Sequence, residues 1–202
     1  MPDYTGVSAP FGFVPYGPVL RANWYALVTS IAVATYHGSV MELVGNTLVT
    51  PAMGSLPAAV SEETGAAGSI IGAVIGIMDH TACPALYIAA SAAGNGVIAG
   101  YALIADHPDQ LYVAAEDGVT SSLIAADMGL AIDAIGTTGS TVTGRSYMML
   151  DSNTMATTAT LAFLLIKPHP EDTFATANTA GQYTRFIVKL NSAAYGAAVA
   201  GL

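Results

Sequence analysis

The apolar and polar positions along this chain fall into short strands interrupted by turns. Residues 24–36 concentrate β-branched and aromatic side chains, among them Tyr25, Val28, Ile31, Val33, Thr35 and Tyr36. His37-Gly38 supplies a turn before Val40-Met41-Glu42-Leu43-Val44, and Gly45-Asn46 predicts another before Thr47-Leu48-Val49-Thr50, giving a β-meander. Residues 51–68 read as a loop with Glu62-Glu63 at a solvated tip. The apolar run 70–78 carries Gly72 and Gly76 at a spacing that also suits a helix contact, but its Ile, Val and Gly content favours a buried strand with bulges.

Further strands are predicted at 86–88 and 97–105, the second stopped by Asp106-His107-Pro108-Asp109, and at 111–114, ended by Glu116-Asp117-Gly118. The best helix candidate is 121–128, with serines to cap it and Gly129 to close it. Residues 136–144 form a Gly/Ser/Thr turn region ahead of an alternating segment at 145–150. The most strand-like segment is 157–167, broken by Pro168-His169-Pro170-Glu171-Asp172. The segment 183–190 closes the sheet, with Phe186, Val188 and Leu190 on one face and Arg185, Ile187 and Lys189 on the other. Roughly ten short strands with regular turn signals predict an all-β fold, a barrel or sandwich-like core with at most one short helix.

Residues 1–22 differ from this core. Pro2, Pro10, Pro15 and Pro18 exclude a helix or a central strand, so they read as an extended N-terminal arm, followed by a single β-rich core domain over 23–202. Tyr4, Phe11, Phe13 and Tyr16 give the arm aromatic anchors that a free tail usually lacks, so it is expected to lie on its own core or on a neighbour.

Composition narrows the function classes. Charged residues are only 9% of the 202, against roughly 25% in ordinary soluble domains, so much of the surface must be uncharged and suited to permanent burial against partners. A net charge of −9 repels phosphate backbones, and Arg21, Arg145, Lys167, Arg185 and Lys189 are scattered, so no nucleic-acid partner is expected. The single cysteine, Cys83, cannot form an internal disulfide and reads as a small buried thiol. Residues 22–41 lack formal charge, but Asn23, Thr29, Ser30, Thr35, His37 and Gly38 favour a strand pair over a membrane span. Met1-Pro2-Asp3-Tyr4 shows no basic segment leading into an apolar one, so no signal peptide is expected.

The residues that could carry chemistry sit in turn punctuation. His37, His80, His107 and His169 lack paired metal-ligand spacing, and Asp79-His80 and Asp106-His107-Pro108-Asp109 read as loop chemistry. Gly94-Asn95-Gly96-Val97-Ile98-Ala99-Gly100 places its last glycine one position too far along for a dinucleotide loop. Glu171-Asp172 reads as solvent-facing. Neither catalytic residues, a cofactor nor a metal is expected, and the chain reads as a structural protein rather than an enzyme.

The order of segments carries a resemblance. The arm Phe11-Gly12-Phe13-Val14-Pro15, the His37-Gly38 turn, the Asp106-His107-Pro108-Asp109 turn, Thr143-Gly144-Arg145-Ser146, Leu150-Asp151-Ser152 and Phe186-Ile187-Val188-Lys189-Leu190-Asn191 together resemble the head decoration, or cement, proteins of tailed bacteriophages. The resemblance spans about residues 11–195 and departs from the family at Ser39 and at the turn Pro168-His169-Pro170-Glu171-Asp172. It implies a virion protein, made in the host cytoplasm, that binds the outer surface of the mature capsid and bridges subunits of the major capsid protein. It further implies a homo-oligomer, a trimer at a symmetry axis. Phe11, Phe13, Pro15 and Tyr16 are then the expected arm anchors at the capsid or oligomer interface, and removing residues 1–20 is expected to abolish binding while leaving the core folded. The alternatives are a tail or head-fibre component, and a polysaccharide-acting hydrolase centred on Asp106 and Asp109.

Overall fold

A computed structural model describes residues 10–29, 33–49, 56–61, 70–92, 94, 96–118, 123–136, 139–157, 160–172 and 183–191. The fold is all-β. Its strands are β1 (Val14–Tyr16), β2 (Ala22–Val28), β3 (Thr35–Tyr36), β4 (Val40–Val49), β5 (Leu56–Ser61), β6 (Ile70–Asp79), β7 (Tyr87–Ile88), β8 (Ile98–Ala105), β9 (Leu111–Ala115), β10 (Ala131–Ile135), β11 (Met149–Ala156), β12 (Phe163–Pro168) and β13 (Arg185–Leu190). The helical content among the described residues is one 3-10 turn, Ala125–Asp127, and no helix there is long and apolar enough to cross a membrane.

Five strands close into a barrel in the order β2-β5-β4-β6-β8, and six form an open sheet in the order β1-β9-β13-β12-β10-β11. Pairing is antiparallel apart from β2 with β5. Closing so few strands requires sharp bending, and the register slips that provide it occur between Leu27 and Val28, between Met41 and Glu42, and between Val74 and Gly76. Gly72 is essential to the closure. A Cβ there would fall 1.9 Å from the carbonyl oxygen of Ala105, so only glycine lets the backbones of β6 and β8 approach this closely.

β6 divides its side chains between two cores, with register slips at Ile71 and Ile75 interrupting its strict alternation. Ile71, Val74 and Ile77 join Tyr25, Leu27 and Ile104 in one. Ile70 and Ala73 join Phe13, Tyr112, Phe163 and Phe186 in the other, beneath the six-stranded sheet. Barrel and sheet therefore share a wall. Tyr112 spans it: its hydroxyl donates to the Ala105 carbonyl, and burial pushes its ionisation upward.

Several local expectations differ from this structure. The stretch 51–68 contains β5, which the sequence conceals because Pro57 and its alanines lack strand propensity; pairing with β2 and β4 supplies the reason to be extended. Gly45-Asn46 does not separate two strands. β4 runs through it, and the register with β5 jumps between Leu43 and Leu48 instead. The helix expected at 121–128 is reduced to the 3-10 turn, residues 121 and 122 lying outside the described set. The segment 24–36 is divided into β2 and β3, and 157–167 contributes β12 only from Phe163 onward. Glu62-Glu63 lies outside the described residues. Cys83, expected to be buried, is exposed. It lies in the turn in which the Asp79 carboxylate accepts hydrogen bonds from the Thr81 amide and hydroxyl and from the Cys83 amide, and that turn faces outward.

Candidate functional site

The arm is tied to the fold by backbone geometry that only glycine allows. Gly12 adopts a φ of +76°, and a Cβ on it would lie 2.7 Å from the Gly38 carbonyl oxygen. That close approach lets the Phe13 amide donate to the same oxygen at 2.9 Å, while the Gly38 amide donates to Val74 on β6. The His37-Gly38 turn is thus the seat on which the arm rests.

From there β1 lies on β9, with Val14 opposite Val113, Pro15 opposite Tyr112 and Tyr16 opposite Leu111. Pro15 has no amide hydrogen to give, which suits a strand at the sheet edge. Beyond it the buried Gln110 holds the chain: its side-chain oxygen accepts from the Leu20 amide at 2.9 Å, and its amide nitrogen donates to the Leu111 carbonyl. The backbone is clamped while its apolar side chains face out. Val14, Val19 and Leu20 are 40%, 45% and 52% exposed.

The expected anchors divide accordingly. Phe13 is buried, stacked on Phe163, so it anchors the arm to its own core and offers no surface to a partner. This corrects its reading as an interface anchor, because alternation along the arm sends Phe13 inward and Val14 outward. Phe11 and Pro15 are half-buried, as is Tyr16, which meets His169 edge to face at 6.0 Å. The exposed apolar set Val14, Val19 and Leu20 was legible only as ordinary arm residues.

The acidic turns are structural hubs. The Asp106 carboxylate, buried at the end of β8, accepts hydrogen bonds from Arg21 Nε, Asn23 Nδ2 and the Tyr25 hydroxyl at 2.7–2.8 Å. Desolvation pushes this carboxyl up, but the bonds from Asn23, Tyr25 and Arg21, with the guanidinium charge, hold it below its ordinary value. Asp109 pairs with Lys189 at 2.6 Å. Asp172, expected at the solvent, is instead partly covered and takes the guanidinium of Arg185, whereas Glu171 beside it is exposed.

Glu116 and Asp117, read from sequence only as a strand terminator, are both buried. Burial pushes the Glu116 carboxyl up to about 7, with the charges of Asp117 and Asp127 adding to the effect and the hydrogen bond from Leu123 opposing it. No group of three or more potential metal ligands occurs among the described residues. Comparison with protein-family models, curated proteins and solved structures finds no match.

Proposed function

We propose that this protein is a capsid decoration protein of a tailed bacteriophage, binding the outer surface of the expanded head and bridging its major capsid subunits. The observation that carries the reading is the exposure of Val14, in the sheet-edge strand β1, and of Val19 and Leu20 shortly after it. Apolar side chains next to an unpaired strand edge favour association with another protein surface. The low charge of the chain and its all-β fold agree with a part that works by buried area. The segment-order resemblance supplies the partner, and shell symmetry favours a homotrimer. Binding only the expanded arrangement would stabilise it by mass action against internal pressure.

The test is co-sedimentation with expanded phage heads lacking the protein, beside unexpanded heads. Saturable binding to expanded heads alone, lost in Val19→Asp/Leu20→Asp, is the expected result. Deleting residues 1–20 is unsuited to the purpose, since it also removes Phe13 from the core. Absence of binding to either form would overturn the reading in favour of a tail or head-fibre component or of the hydrolase.

A further inference from the structure

The end of β9 is a joint where three parts of the six-stranded sheet meet. The Glu116 amide donates to the Thr184 carbonyl and its own carbonyl accepts from the Tyr183 amide, tying it to the head of β13. The Asp117 amide donates to Leu150 on β11 at 3.1 Å. Its side-chain Oδ1 accepts from the amide and hydroxyl of Ser152 on the same strand. Glu116 Oε1 accepts from the amide of Leu123, a fully buried member of the core under the sheet.

Two oxygens of this joint are left over. Glu116 Oε2 and Asp117 Oδ2 are buried with no hydrogen-bond partner. An ionised Glu116 side chain in such a place, beside a second acid and with no cation facing it, is costly. Among the described residues, the charged and titratable groups on the elements around Glu116 are Tyr112 of β9, Asp117, Asp127 of the 3-10 turn, Asp151 of β11, Tyr183 just before β13, and Arg185 and Lys189 of β13. The two cations among them are engaged elsewhere, Arg185 by Asp172 and Glu171 and Lys189 by Asp109. Asp117 and Asp127 add repulsion.

We propose that Glu116 is a proton-operated latch: uncharged, it closes the joint between β9, β11, β13 and Leu123, and on losing its proton it loosens that joint. The upward shift of its carboxyl toward 7 sets the range in which the latch works. The sign follows from the raised value. The folded protein holds the proton that an unfolded chain releases above about 4.5, so stability falls as pH rises from there through about 7 and is level beyond. The latch is independent of the capsid reading, because it concerns the protein alone.

The experiment is a carbon-13 NMR titration of the glutamate side chains in the intact protein, with amide exchange at Leu123 followed at about pH 5.5 and about pH 8. The expected result is a carboxyl titrating near neutrality that Glu116→Gln removes. Exchange at Leu123, corrected for its intrinsic pH dependence, should accelerate at least about tenfold at the higher pH in the natural protein and be level in Glu116→Gln. A Glu116 carboxyl titrating in the ordinary glutamate range, or Leu123 protection that ignores pH, would overturn the latch. The carboxyl titration decides the matter even if Glu116→Gln fails to fold.

Discussion

The ring of Phe13 lies on that of Phe163 with centroids 4.5 Å apart and planes 17° from parallel. An arm residue and a strand residue separated by most of the chain thus share one core. Truncating Phe13 to alanine is expected to cost about 3–5 kcal/mol, the range for an emptied aromatic site. Denaturant unfolding of Phe13→Ala should show the midpoint fall; an unchanged midpoint would mean that the arm is peeled away in solution.

The Asp106 hub predicts a loss of stability in acid. Its carboxyl is held below the ordinary 3.8, so its contribution is complete above that value and disappears as pH falls through the lower, folded-state value. Asp106→Ala is expected to cost roughly 2–3 kcal/mol at neutral pH, since the Tyr25 hydroxyl and the Asn23 amide lose their acceptor. Thermal melts at descending pH should show the variant less sensitive to acid than the natural protein.

Gly72 and Gly17 make a contrasting pair. Both adopt positive φ, but a Cβ at Gly72 meets the Ala105 carbonyl oxygen whereas one at Gly17 meets nothing within 4 Å. Gly72→Ala should therefore cost roughly 3 kcal/mol or more, by overpacking at the barrel closure. Gly17→Ala should cost about 1 kcal/mol, the backbone penalty alone. Comparing their melting temperatures separates the two terms.

Cys83 should react with a water-soluble thiol reagent in the native protein at close to the rate of the unfolded chain, because it is exposed. Cys83→Ser is expected to change stability by less than about 0.5 kcal/mol. Protection of the thiol in the native state would contradict its position in the turn after β6.

Much of the architecture was legible in the sequence, for identifiable reasons. β8, β9 and β13 combine β-branched or aromatic residues with strong stop signals, so periodicity and punctuation agreed. β5 was invisible because its extension is imposed by neighbours. The outward turn of Cys83 was equally hidden, since a lone thiol carries no signal of its side. In the arm Phe13 is anchored, but composition could not say to what; the glycine pair Gly12 and Gly38 decided that by letting the arm settle on its own fold. The burial of Glu116 and Asp117 ran against the usual meaning of an Glu-Asp-Gly terminator.

The strand order has a consequence in time. The barrel strands are complete once the ribosome has passed Ala105, whereas β13, drawn from 185–190, lies between β9 and β12 within the other sheet. β9 and β12 cannot be bridged until that segment has been made, and β1 meanwhile waits for a partner synthesised almost a hundred residues later. A nascent copy therefore carries a finished barrel beside an unfinished sheet, and proteolysis of stalled chains should spare the first layer and consume the second.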